Sequence, residues 1–194
     1  MIRKLPEGRR HSGIFFDDGS KVALLHLARD LELRVDEPTD DYWWVVAGID
    51  SSIKKTVAGM CSLMAQRMPA VPYAFDRAGI RFDDQGNIVP GPEGKGLTCS
   101  TLIVAIFDSV HFPLIFENQW PKDNDWAERL AILTSVFRPA RVSSEHAIAA
   151  FGELEVKRVK PAEVVGASAE TRFPVTYSRA RPVAKKIEKE LASK

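Results

Sequence analysis

His11-Ser12-Gly13-Ile14-Phe15-Phe16-Asp17-Asp18-Gly19-Ser20-Lys21-Val22-Ala23-Leu24-Leu25-His26-Leu27-Ala28 is the stretch whose reading decides the fold. Residues 12–16 are apolar, Asp17-Asp18-Gly19-Ser20 is turn chemistry, and residues 22–28 are apolar again, the pattern of a β-hairpin. A loop of residues 17–20 has a common hairpin length and pairs Phe16 with Lys21. In that register His11 stands directly opposite His26, with Cβ atoms about 4.5–5.5 Å apart. Arg29-Asp30 then turns the chain into Leu31-Glu32-Leu33-Arg34-Val35-Asp36, whose strict alternation marks a half-exposed third strand. Residues 42–46 read as a fourth strand, completing a small antiparallel sheet.

Helices dominate the rest. From a cap at Asp50 or Ser51 a helix runs to about Met68, because Ile53, Val57, Met60, Cys61, Met64 and Met68 fall on one face before Pro69. Cys61 on that stripe reads as a small core residue. Residues 69–96 are rich in glycine, proline and aspartate, with a hairpin expected around residues 83–87. Leu102-Ile103-Val104-Ala105-Ile106-Phe107 fits a buried strand or a buried helix, and Thr98 as a cap favours helix. Further helices are expected over residues 123–137 and 143–156, and a last one opens at Arg181-Pro182, with residues 160–174 as a flexible connection.

A chain of 194 residues with 45% hydrophobic content can bury one sizeable core. Lysine and arginine total 27 against 26 acidic residues, so no global field draws the chain to nucleic acid or to an anionic membrane surface. The basic first ten residues lack the apolar stretch of a secretory signal, and no run approaches membrane-spanning length, so the expected compartment is by default the cytoplasm, with export as an effector by other machinery the alternative, and no stable membrane insertion is expected. Two cysteines do not make a disulfide scaffold, and both read as free thiols.

A histidine pair on one sheet face suits a base and the residue that orients it, one imidazole taking a proton and the other setting its tautomer. It also suits a metal. Cys99 stands where a helix N-terminus lowers a thiolate pKa and offers backbone N–H groups to an oxyanion. Together the three match the ligand set of some catalytic zinc sites, although the usual close ligand spacing is absent. His111 and His146 have no comparable context. Of Trp43 and Trp44, which face opposite ways in a strand, at least one is expected in the core, and Tyr73 is expected to cover the core from a loop.

The order histidine, histidine, cysteine, with His11-Ser12-Gly13-Ile14-Phe15-Phe16-Asp17-Asp18-Gly19, Val22-Ala23-Leu24-Leu25-His26-Leu27-Ala28 and Leu97-Thr98-Cys99-Ser100-Thr101-Leu102, resembles the circularly permuted branch of the NlpC-type papain-like superfamily. That branch includes the lecithin:retinol acyltransferase-like proteins. The resemblance covers roughly residues 8–107. It implies an α+β papain-like fold with a small antiparallel sheet packed on a central helix that bears the cysteine. Residues 1–120 would form the catalytic core and residues 121–194 a helical extension packed on it.

For the site, the resemblance implies Cys99 as nucleophile, His11 as general base and His26 as orienting residue, with no cofactor and no metal. The acyltransferases carry Asn-Cys-Glu where this chain has Thr98-Cys99-Ser100, which is closer to the bacterial hydrolase-like members. The implied reaction is hydrolysis of a peptide or isopeptide amide through a thioester. A lipid acyl substrate is the competing choice, and a non-catalytic binding module on the same scaffold is the alternative outside enzymology.

Overall fold

The computed structural model describes residues 1–5, 8–137, 143–153 and 156–193. The chain opens with β1 (Ile2–Lys4), β2 (Arg10–Ser12), β3 (Ile14–Asp17), β4 (Val22–Arg29) and β5 (Glu32–Asp36). β1 and β2 form an antiparallel pair, and β3, β4 and β5 form an antiparallel sheet in that order. The fold is thus α+β with small antiparallel sheets.

The hairpin register differs from the expected one by two positions. Phe16 faces Ala23 and Asp17 faces Val22. The cause is local: the Asp18 carboxylate accepts from the backbone N–H groups of Ser20 and Lys21 and from the Ser20 hydroxyl, so the turn closes over residues 18–21. His11 therefore does not lie opposite His26 in the ladder; its partner is Arg3 of β1. The chain breaks at Gly13 between β2 and β3, where a Cβ would stand only 2.6 Å from the Leu25 carbonyl oxygen and 2.8 Å from the His26 Cβ. The fourth strand expected over residues 42–46 is absent. Only Trp43 pairs there, exchanging both backbone hydrogen bonds with Ile2 at 2.8 Å, because β1, which alternation did not mark, already has β2 as its partner.

Helix α1 (Ser51–Arg67) follows as expected. The Asp50 carboxylate caps it by accepting from Ser52 and Ile53, and Met68 closes it in the left-handed region. Val57, Met60, Cys61 and Met64 form its buried face. β6 (Arg81–Phe82) and β7 (Ile88–Val89) make the short hairpin around residues 83–87. Helix α2 (Cys99–Ser109) settles the ambiguous apolar run as helix: Thr98 and Thr101 form a capping box, and Cys99 through Phe107 are all buried. A helix apolar on every side can only sit in a core. α2 accordingly lies among α1, α5, β2, β4 and β6.

Beyond α2 come β8 (Lys122–Asp123), α3 (Trp126–Val136), α4 (Ser144–Phe151), β9 (Val156–Lys157), α5 (Pro161–Ser168) and α6 (Tyr177–Ala192). The expected helices over residues 123–137 and 143–156 are shorter, because Asp123 and Val156 pair with each other across β8 and β9. Residues 154 and 155 lie outside the described residues. The flexible connection expected over residues 160–174 is largely helix α5. Pro161 opens it, the Glu163 carboxylate accepts from the Lys160 N–H, and residues 162–167 are buried. Its small residues conceal it from a periodicity argument, yet they allow close packing. Gly166 lies so near α6 that a Cβ would be 3.0 Å from the Ala180 carbonyl oxygen. α6 starts ahead of the expected Arg181-Pro182, with Pro182 inside the helix, because Arg179 and Ala180 already donate to the Thr176 carbonyl at 3.1 Å. The main hydrophobic cluster runs from Ile2 to Leu191 and includes both parts of the chain.

Candidate active site

Three elements bring the predicted residues to one cleft of about 680 Å³. β2 supplies His11, β4 supplies His26, and the first residue of α2 is Cys99; all three line this cleft and all three are buried. The two-residue register change does not separate the histidines. The break at Gly13 lets the His11 side chain reach across, and its Nε2 lies 2.7 Å from His26 Nδ1, with the rings edge-to-face.

The sequence reading missed the third member of this relay. His26 Nε2 is 2.8 Å from the Asp36 carboxylate on β5. Leu24 faces Asp36 and His26 faces Arg34, so Asp36 is the diagonal neighbour of His26 on one face of the sheet. The alternation over residues 31–36 already put Arg34 and Asp36 on a single face; extending the register from β4 to β5 would have found the carboxylate.

The carboxylate can only accept a hydrogen bond, which assigns the protons. His26 Nε2–H donates to Asp36, His26 Nδ1 therefore accepts, and His11 Nε2–H donates to it. The His11 Nδ1 lone pair is left without a partner among the described residues and open to the cleft. Burial holds both histidines neutral. It pushes His11 down to about 4, helped by the charge of Arg3 and opposed by Asp36. It pushes His26 to about 4 as well, helped by His11 and opposed by the Asp36 hydrogen bond and charge. A neutral imidazole is the form that accepts a proton.

Around Cys99 the capping box accounts for the Thr98 and Thr101 N–H groups, at 2.7 and 3.2 Å, and Leu102 N–H donates to the Thr98 carbonyl. The N–H groups of Cys99 and Ser100 have no partner among the described residues, so the helix N-terminus presents two donors beside the thiol. The Cys99 thiol itself makes no hydrogen bond to His11. Tyr73 also lines the cleft, and its hydroxyl has no hydrogen-bond partner among the described residues; burial, with the neighbouring Cys99 adding to it, raises its pKa and keeps it protonated.

The remaining polar candidates are structural or remote. Cys61 is fully buried, and burial pushes its thiol up to about 12. His146 Nε2 donates to the Tyr73 carbonyl oxygen at 3.1 Å, and His111 is exposed beyond α2. Trp43 is packed against the core and donates from Nε1 to Glu190, whereas Trp44 is exposed. No cluster of three or more His, Cys, Asp or Glu side chains suited to a metal ion occurs among the described residues. No helix there is long and apolar enough to cross a membrane. Comparison with protein-family models, with curated proteins and with solved structures finds no match to this chain.

Proposed function

We propose that this protein is a thiol hydrolase that cleaves a peptide or isopeptide amide through an acyl-enzyme thioester, on the pattern of the NlpC-type papain-like enzymes. The observation that carries the reading is the His11–His26–Asp36 relay, which opens an imidazole lone pair into the same cleft as a cysteine at a helix N-terminus. Each group then has a task. His11 Nδ1 takes the Cys99 proton as sulfur attacks the acyl carbon, and His26, held by Asp36, stabilises the imidazolium that forms. The N–H groups of Cys99 and Ser100, with the Tyr73 hydroxyl, are the donors available to the tetrahedral oxyanion. His11 returns the proton to the leaving amine. It next deprotonates the water that attacks the thioester, releasing the acid and regenerating the thiol. Contacts of the Cys–His kind are often long in a resting enzyme and tighten with substrate.

A second reading, a binding module on this scaffold, draws on the missing Cys99–His11 hydrogen bond. One experiment separates the two: limiting iodoacetamide across pH 5 to 9, with mass spectrometry locating the modified cysteine in wild type and in His11→Ala. Selective labelling of Cys99 that depends on His11 supports the hydrolase and directs a screen of peptide against lipid acyl substrates. Labelling of Cys99 that is slow and indifferent to His11 supports the module.

A further inference from the structure

The cleft that holds Cys99 is cationic, and three of its positive side chains are neutralised by acids. Arg34 is paired with Glu32, Arg158 with Asp123 and Glu128, and Lys160 with Glu128. Among the others, Arg3 is the one that stands beside the histidine pair. It stands directly across the ladder from His11, close enough that its charge depresses the His11 pKa. Its guanidinium lies over the Tyr42 ring, 5.1 Å from the centroid. Its Nε is buried and has no hydrogen-bond partner, and no ion pair joins Arg3 to an acid among the described residues. A half-buried guanidinium whose Nε is withdrawn from water without an acceptor is stabilised when an anion binds it.

Building on the thiol-hydrolase reading, we propose that Arg3 is a carboxylate-recognition residue: the substrate carries a carboxylate, a peptide C-terminus or an acidic side chain, close to the bond that Cys99 attacks. The contact with the Tyr42 ring holds the guanidinium in place, and the sealed Nε leaves the two terminal nitrogens as the fork that a carboxylate matches end-on. A carboxylate is favoured over a phosphate on charge. Beside His11, Arg3 supplies one positive charge, which one carboxylate matches, since the cleft's Arg34 and Arg158 are neutralised by Glu32 and Glu128.

The test uses thiol-directed probes in which chloride leaves as the Cys99 sulfur bonds to carbon. N-chloroacetyl glycine, β-alanine and 4-aminobutyrate are compared with their primary amides and with matched phosphonates. The readout is the acid-to-amide ratio of Cys99 labelling rates, which cancels any general effect of Arg3 on thiol activation. At the best-fitting length the ratio is expected to fall about tenfold in Arg3→Gln, to recover in part in Arg3→Lys, and to persist in Arg29→Gln, a cleft arginine off the Tyr42 ring. An unchanged ratio in Arg3→Gln, an equal fall in Arg29→Gln, or phosphonates outrunning carboxylates would each overturn the proposal while leaving the thiol reading intact. Failure of every probe, the neutral amides included, to label Cys99 would instead overturn the thiol reading and this inference with it.

Discussion

Acid should unfold this protein through its two buried histidines. Burial holds both His11 and His26 near 4, against 6.5 in an unfolded chain. Between those values the unfolded chain binds protons that the folded protein refuses, so stability is fully present above about pH 6.5 and is lost as pH falls toward 4. The full shift is worth about 3 kcal/mol per histidine, and at pH 4.5 the pair has forfeited about 5 kcal/mol, comparable to the whole stability of many domains. The assay is urea unfolding at pH 7 and pH 4.5, for wild type and for the double variant His11→Gln/His26→Gln. The buried Met1 amine, held near 5, and the carboxylates of Asp30, Asp108 and Glu153, raised by burial, titrate in both proteins and cancel in the comparison. Wild type should lose about 5 kcal/mol more than the double variant between the two pH values, and about half of that relative to His26→Gln alone. Equal losses in wild type and double variant would refute the burial argument, and with it the assignment of a neutral relay.

Three other outcomes are expected. Gly13→Ala forces a methyl to within 2.6 Å of the Leu25 carbonyl and 2.8 Å of the His26 Cβ, and should cost about 2–3 kcal/mol in a thermal melt while weakening Cys99 labelling; wild-type behaviour in both would show that the strand break can relax. Asp36→Asn removes the charge that raises both histidine pKa values, so His11 becomes a weaker base and Cys99 alkylation near pH 7 should slow about tenfold, with partial recovery in Asp36→Glu; an unaltered rate would take Asp36 out of the relay. Cys61, with its thiol pushed up to about 12, should resist iodoacetamide in the folded protein and react only in denaturant, and native labelling as fast as that of Cys99 would contradict its burial.

Local chemistry made several elements legible in advance. Asp50 and Thr98 are side-chain caps whose partners lie within three residues, so the starts of α1 and α2 could be read directly. The alternation of residues 31–36 and the apolar face of α1 were equally visible. The hairpin was found but its register was not. The choice between closing the turn at Asp17 or at Asp18 depends on which carboxylate collects the turn N–H groups, and residue types alone do not rank the two. Helix α5 escaped because an element buried all round shows no polar face to give it a period.

By itself the sequence determined the type of most elements, the burial of Cys61, and the candidacy of His11, His26 and Cys99, because each rests on residue chemistry and short-range spacing. Tertiary structure decided that the two histidines meet through a break at Gly13 rather than as a ladder pair, that Asp36 completes their relay, and that Arg3 stands beside them without an ion pair to an acid among the described residues. Those contacts join β1, β2, β4 and β5, whose mutual register is set by packing over the common core, and a property of the packed sheet is written in no single stretch of chain.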